Sequence, residues 1–240
     1  MVESMVRPTQ NEFSPAERAA VYRALRERRD VRIGYLPKPL DDETLYRLLA
    51  AAHQAPSVGF MQPWRFIVVR NLALRTAVHG IFERANAAAA AKYSGDLREA
   101  YSRLKLEGLL EAPQHLCVVC DERGERGHRL GRNSMPEMSI YSVVCAIQNL
   151  WLAARAEGIG VGWVSILDPL AVKELLRIPP DAQLVAYLCL GYVEGFADVP
   201  DLERHGWEKR AELAPLVRAD YFDQTYTVRP ADAWRLQTTL

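Results

Sequence analysis

The chain has 240 residues, of which 49% are apolar and 25% are charged, a composition that is ordinary for a soluble globular protein with a sizeable core. Lys plus Arg equals Asp plus Glu at 30 each, which argues against nucleic acid or an anionic membrane surface as a partner. The polar residues 1–11 lack the apolar segment of a signal peptide, and no apolar run approaches the roughly 20 residues of a membrane span. We therefore expect a cytoplasmic protein with a disordered leader over residues 1–12.

The first predicted helix begins at Ser14, which has the form of an N-cap followed by a proline in the first helical turn. Apolar residues then recur at helical spacing until the helix ends near Arg28. There the chain carries the sequence Arg28, Arg29, Asp30, Val31 and Arg32. Arginine presents a planar fork of donors that suits phosphate oxygens, so this cluster indicates an anion site that contains one acid. The alternative is a solvated helix end, where the helix dipole alone favours arginine.

A second helix is predicted from Asp41 and Asp42, and it ends before Pro56. Residues 55–66 form a loop rich in proline and glycine that leads into a β-branched strand over 66–69. The Ser57 hydroxyl and the backbone amides of this loop can reach a ligand. The alternative is a structural connection in which Trp64 simply packs.

Residues 72–112 are helical by composition, and Gly95 divides them into two helices. Such a hairpin can close over a ligand as a lid, although core helices are the alternative. A buried strand follows over 116–120, where Cys117 and Cys120 should point to opposite faces. We interpret them as structural thiols and predict no metal site. Residues 121–132 form an exposed, charged loop without the spacing of a phosphate-binding motif.

The clearest helix spans residues 139–158 and is apolar almost all round, which indicates burial at the centre of the fold or in an intimate dimer. A strand over 161–167 follows, in which Gly162 allows close approach and Ser165 is flanked by bulky residues. A helix over 170–176, a strand over 183–190 and a second basic patch over 206–210 complete the pattern. We predict one α+β domain over residues 13–216 and a C-terminal extension of unknown role over 217–240.

Several motifs together resemble one family. The general features are the charged cluster after the first helix, the loop Ala55-Pro-Ser with Gln62-Pro-Trp64, the long central helix and the late basic element. The narrower features are Asp30, where ordinary nitroreductases usually carry Ser, and the segments 135–138, 141–142, 148–158 and 162–169. Over residues 13–212 this combination resembles the 5,6-dimethylbenzimidazole synthases (BluB), the flavin-degrading branch of the nitroreductase-like flavoproteins.

The resemblance implies an α+β sandwich with a mainly antiparallel central sheet flanked by helices. It also implies an interlocked homodimer that binds FMN at the subunit interface. By position, the residues that bind the flavin are Arg28, Arg29, Asp30, Arg32, Ser57, Ser165 and Arg210. The arginines would hold the phosphate and ribityl chain, whereas Asp30 and Ser165 match the two catalytic residues beside the reacting part of the flavin. Phe60 and Met61 depart from the Asn-bearing loop of typical nitroreductases, which fits a pocket that excludes ordinary substrates.

The function implied by the resemblance is the oxygen-dependent fragmentation of reduced FMN to 5,6-dimethylbenzimidazole, the lower ligand of cobalamin, and erythrose 4-phosphate. Reduced FMN and O2 are then substrates, and NAD(P)H acts only through a separate flavin reductase. A carboxylate among arginines favours a base or hydrogen-bond acceptor at Asp30. One alternative is an NAD(P)H-dependent FMN nitroreductase or flavin reductase, since this fold needs no Gly-x-Gly-x-x-Gly motif. Another is a flavin carrier without chemistry.

Overall fold

A four-stranded antiparallel sheet occupies the centre of the computed structural model, which describes residues 12–226. Its strands are β1 (Trp64–Val69), β2 (Gln114–Cys120), β3 (Ile159–Val164) and β4 (Gln183–Tyr192), in the order β1-β2-β4-β3. All three strand pairs are antiparallel. The predicted α+β fold with a mainly antiparallel sheet is therefore confirmed, whereas the homodimer stays a prediction.

The first two helices begin at the residues that the sequence indicates. In chain order, the helices are α1 (Pro15–Glu27), α2 (Asp42–His53), α3 (Leu72–Ala90), α4 (Gly95–Ser102), α5 (Met138–Ala156), α6 (Pro169–Leu175) and α7 (Asp201–Arg204). Ser14 and Glu17 exchange hydrogen bonds as a capping box at the start of α1. The Asp41 carboxylate accepts from the Thr44 amide at 2.7 Å, which fixes the start of α2 where it was predicted.

Apolar side chains cover both faces of the sheet. One core lies between the sheet and the helices α2 and α5, and the other between the sheet and the helices α3 and α6. Cys120 belongs to the first core and Cys117 to the second, so the two thiols do point to opposite faces. Burial raises the pKa of Cys117 to about 12 and that of Cys120 to about 11, which makes both thiols poor nucleophiles.

The prediction of helix up to residue 112 is wrong beyond Ser102, where α4 ends. The Glu107 carboxylate is buried and binds the Leu109 amide at 2.5 Å and the Lys105 ammonium group at 2.7 Å. These local bonds compete with helical backbone bonds, and Pro113 ends the segment. Gly108 packs directly against Tyr35. A Cβ atom added at Gly108 would lie 2.8 Å from the Tyr35 ring.

The predicted strand over residues 161–167 is shifted. β3 begins at Ile159 and ends at Val164, so Ser165 follows the strand and is exposed to solvent. Gly158 has a left-handed backbone (φ 74°), which ends α5 and turns the chain directly into β3. Ile159 and Gly160 already pair with β4, so the strand begins earlier in the sequence than its apolar pattern indicates.

The described residues fall into two compact units. The larger comprises residues 27–207 and contains the sheet; the smaller comprises residues 12–26 and 208–226. The smaller unit contains most of α1, a 3₁₀ turn at Ala214–Leu216 and an isolated antiparallel bridge between Arg218 and Thr225. The domain limits of 13–216 and 217–240 stay a prediction, and nearly all of the proposed leader lies outside the described residues. Within residues 12–226, no helix has the length and apolarity needed to cross a bilayer.

Candidate functional site

The segment after α1 packs along β3 because glycines leave room for it. The Val31 amide donates to the Val161 carbonyl at 3.0 Å, and Asp30 forms a parallel bridge with Val161. A Cβ atom at Gly162 would collide with the Val31 carbonyl, so this approach requires glycine, as predicted. The charged cluster is thereby fixed against the sheet.

Both oxygens of the Asp30 carboxylate accept hydrogen bonds. Oδ1 accepts from the Trp163 amide of β3 at 2.9 Å, and Oδ2 accepts from Arg32 Nη2 at 2.6 Å and Nε at 3.1 Å. Arg32 is held in turn, since its Nη1 donates to the Lys105 carbonyl at 3.1 Å. The acid and its neighbouring arginine therefore form one positioned group, in which the direction of the carboxylate is set by the sheet.

Asp30 and Arg32 line a cleft of about 530 Å³. The cationic side chains of this cleft are Arg29, Arg32, Arg103, Lys105 and Arg204, and its acidic ones are Asp30, Glu194 and Asp201. The surplus of cations suits an anionic ligand. Sequence reasoning missed Arg103, Lys105 and Arg204, because no spacing along the chain connects them with the cluster at residues 28–32.

Lys105 is tied to two carboxylates at the edge of the cleft. Its Nζ lies 2.7 Å from Glu107 Oε1 and 3.0 Å from Glu111 Oε1. Burial lowers the pKa of Lys105, but the hydrogen bonds to these carboxylates outweigh burial and leave the pKa raised. Lys105 therefore stays protonated, and these two carboxylates balance its charge locally.

Aromatic rings pack the α3–α4 hairpin against Trp207, which follows α7. Tyr93 and Tyr101 stack with their centroids 4.9 Å apart, and Trp207 packs edge-on against both rings. Arg103 and Lys105 follow directly after α4 and line the cleft. This placement suits a lid over the ligand, which stays a prediction.

Arg28 and Arg29 occupy different positions. The Arg28 guanidinium stacks over the Trp151 ring of α5 at 4.7 Å from the ring centroid and is not among the residues that line the cleft. Arg29 does line the cleft, and its guanidinium donates to the carbonyls of Arg28 and Asp198. Trp151 Nε1 donates to the Arg29 carbonyl at 3.1 Å, so the central helix supports this turn.

The other predicted site residues lie outside the cleft of a single chain. Ser57 stands before a 3₁₀ turn, Val58–Phe60, and its hydroxyl accepts from the Gln62 amide at 3.1 Å. Ser165 lies two residues beyond Trp163, whose amide binds Asp30. Arg210 is exposed and belongs to the smaller unit, so its contact with the phosphate stays a prediction.

Comparison with known proteins identifies the family of this chain. The family model described as the nitroreductase family matches residues 25–192. The chain is 50% identical to a 5,6-dimethylbenzimidazole synthase of Rhodospirillum rubrum, covering 86% of this chain and 97% of the relative. It is 47% identical to one of Rhodobacter capsulatus, covering 82% of this chain and 95% of the relative.

Solved structures show the same fold. An iodotyrosine deiodinase bound to FMN and 3-iodo-L-tyrosine is 26% identical with a TM-score of 0.67, over 84% of this chain and all of that one (100%). A BluB-like flavoprotein from Clostridium difficile 630 has a TM-score of 0.62 at 17% identity, over 84% of this chain and 99% of that one. From the family match and the close relatives, we conclude that the chain belongs to the nitroreductase family and, within it, to the 5,6-dimethylbenzimidazole synthases.

Proposed function

We propose that this protein breaks down reduced FMN in an O2-dependent reaction to give 5,6-dimethylbenzimidazole, the lower ligand of cobalamin, and erythrose 4-phosphate. The relatives at 50% and 47% identity carry the name of this activity. The structural observation that carries the proposal is the Asp30 carboxylate, which the Trp163 amide and Arg32 hold at the wall of a basic cleft.

The residues of the cleft fit a flavin that ends in a phosphate. Arg29 and Arg32 line it, together with Arg103 and Arg204. Arginine binds phosphate oxygens through two parallel donors, which favours FMN over riboflavin. Arg28 and Arg210 complete the proposed set for the phosphate and ribityl chain.

Reduced FMN supplies the electrons for O2 and the carbon atoms of the aromatic product. Asp30 accepts a proton in our proposal, and its two bonded oxygens keep it in one orientation while it does so. Ser165 supplies a hydroxyl that positions the flavin ring or the oxygen through one hydrogen bond. The remaining task of the protein is to exclude bulk water, which suits closure of the α3–α4 hairpin.

A second copy of the chain completes the site in this proposal. Ser57 and Ser165 do not line the cleft that Asp30 lines in one chain. On α5, the side chains of Tyr141, Val144 and Cys145 are exposed at helical spacing although the helix is largely apolar. A homodimer that buries this stripe brings Ser57 of one protomer to the flavin of the other, and it explains why a central helix exposes apolar residues.

A separate flavin reductase supplies reduced FMN at the expense of NAD(P)H. A cytoplasmic location is also part of the proposal, and it is supported by four cysteines without a disulfide. The nearest alternative is an NAD(P)H-dependent nitroreductase, which the family match alone would equally allow.

The decisive experiment supplies purified protein with FMN, NAD(P)H, a flavin reductase and O2, and detects 5,6-dimethylbenzimidazole by mass spectrometry. Product formation that requires both the protein and the reductase supports the proposal. NAD(P)H oxidation by the protein alone, without this product, would establish the nitroreductase alternative. Tight FMN binding with neither reaction would instead identify a flavin carrier.

A further inference from the structure

The loop over residues 57–62, here called the flavin loop, holds an unusual backbone. Phe60 and Gln62 both have positive φ angles of 53°, a region that side chains other than glycine rarely adopt. Such conformations persist only where surrounding structure imposes them, and they concentrate at functional sites. The flavin loop therefore depends on the elements that pack against it.

The charged loop that follows β2 packs on the flavin loop without room for side chains between the two backbones. A Cβ atom at Gly127 would lie 2.8 Å from the Gly59 carbonyl oxygen and 2.8 Å from Met61 Cβ. A Cβ atom at Gly59 would lie 2.7 Å from the Gly127 carbonyl oxygen. Gly127, in a loop that matches no phosphate-binding motif, thus permits contact with the flavin loop.

Arg126 joins the two loops by hydrogen bonds. Its Nε donates to the Met61 carbonyl at 3.2 Å, and its Nη2 donates to Gln62 Oε1 at 2.6 Å. The Gln62 amide in turn donates to the Ser57 hydroxyl at 3.1 Å. A continuous path therefore leads from the Arg126 guanidinium through Gln62 to Ser57. The Ser57 hydroxyl accepts from Gln62 through one lone pair, so its hydrogen and its second lone pair are left for a ligand.

We propose that Arg126 is a positioning residue for the flavin site, which fixes the strained conformation of Gln62 and through it the direction of the Ser57 hydroxyl. This inference rests on the proposed function, because it takes Ser57 to contact the flavin. Arg126 is itself exposed, so its removal creates no cavity and changes ligand binding more than it changes folding.

The test compares Arg126→Ala, Gln62→Ala and the double variant by FMN titration, thermal unfolding and amide hydrogen exchange without flavin. Each single variant should weaken FMN binding about tenfold, as expected for a lost hydrogen bond to a charged group. The double variant should also lose about tenfold, because both residues act through one path. The thermal midpoint should move by less than about 2 °C. Exchange at the Gln62 amide should become faster in Arg126→Ala.

Arg123→Ala is the matched control, because Arg123 lies on the same loop and binds Asp121 at 2.9 Å instead of the flavin loop. It should retain wild-type FMN affinity. A second pair of variants compares two glycines of this loop that both have a positive φ. In Gly127→Ala the added Cβ pushes against the flavin loop, whereas in Gly124→Ala the added Cβ has no atom within 4 Å. Only the first should reduce FMN affinity.

Unchanged FMN affinity in Arg126→Ala would overturn the inference. FMN binding about a hundredfold weaker in the double variant would also overturn it, because additive losses mean that the two residues act independently. A lower thermal midpoint with unchanged affinity would show a purely structural role and also overturn it. These outcomes are distinct from failure of the proposed function, in which the wild-type protein itself binds FMN without forming 5,6-dimethylbenzimidazole.

Discussion

The backbone amide of Trp163 lies 2.9 Å from Asp30 Oδ1, and this bond joins residues that are 133 positions apart in the sequence. It attaches the carboxylate to the central sheet, while Arg32 holds the other oxygen. Asp30 is consequently oriented before any ligand binds. A group oriented in this way can act on a bound flavin without first being ordered.

Replacement of the Asp30 carboxylate by an amide distinguishes a role in FMN binding from a role in catalysis. Asp30→Asn keeps the shape and one acceptor oxygen but cannot take up a proton as a carboxylate does. FMN occupancy should survive while 5,6-dimethylbenzimidazole formation falls by about 10²- to 10⁴-fold, the usual share of a general acid or base. FMN titration and mass spectrometry measure the two quantities. Product formation that merely follows occupancy would reduce the role of Asp30 to charge balance among the arginines.

Ser165→Ala is the comparison for this variant, because Ser165 is exposed beyond the end of β3 and contributes one neutral hydrogen bond in our proposal. Its loss should be milder, about 2- to 13-fold, which corresponds to 0.5 to 1.5 kcal/mol. A loss as large as that of Asp30→Asn would instead assign proton transfer to the serine.

If Arg32 binds the phosphate of FMN, its removal should weaken the binding of FMN more than the binding of riboflavin. Arg32→Ala should weaken FMN binding by about 2 to 5 kcal/mol, since it truncates a paired charge and leaves Asp30 without its closest partner. Riboflavin, which lacks the phosphate, should bind poorly to the wild type and change much less. Arg47→Ala is the control, because Arg47 pairs with Glu43 and Glu157 away from the cleft. Equal losses for FMN and riboflavin would show that Arg32 does not recognise the phosphate.

The sequence predicted those helix starts that are set by residues adjacent in the chain. Asp41 caps α2 through the Thr44 amide, and the sequence alone predicts that this helix begins at Asp41 and Asp42. The sequence also identified Asp30 and Arg32 through a resemblance to a family. It did not reveal that Trp163 binds Asp30, because a backbone amide carries no signature of its partner. Arg103 and Lys105 were missed because the sequence predicts a helix up to residue 112, whereas α4 ends at Ser102 and the residues after it line the cleft.

The apolar stripe on α5 predicts a dimer that dilution does not separate into folded monomers. Val144 is 39% exposed and Tyr141 is 50% exposed, although both lie on the helix that forms the core. Val144→Glu should place a charge in the interface, release monomers in sedimentation and abolish FMN binding, because the proposed site needs both protomers. Leu72→Glu, at an exposed first turn of α3 where an acid is favourable, is the control and should remain dimeric. A monomeric wild type that binds FMN would place the whole site within one chain.

A buried histidine predicts how stability depends on pH. His115 of β2 is fully buried, with its Nδ1 3.0 Å from the Tyr187 hydroxyl, and Cys117 and Cys189 belong to the same core. Burial and, to a smaller extent, the charge of Arg75 lower the pKa of His115 from 6.5 to about 3. The unfolded chain therefore binds a proton below pH 6.5 that the folded protein does not bind until about pH 3. The free energy of unfolding should fall by about 1.4 kcal/mol per pH unit from this group as the pH decreases through that range.

The variant His115→Gln tests this dependence, because glutamine does not titrate and can still bond to the Tyr187 hydroxyl. Carboxylates titrate in both proteins, so the informative quantity is the difference between wild type and variant in urea unfolding at pH 7.5, 6, 5 and 4. Above pH 7 the curves should run parallel, and between pH 6 and pH 4 the wild type should lose about 1.4 kcal/mol per pH unit more than the variant. His128→Asn, at an exposed position with a positive φ that asparagine tolerates, should retain the wild-type slope. Parallel curves for wild type and His115→Gln down to pH 4 would mean that His115 binds its proton in the folded protein, and that the core around Tyr187 admits the charge.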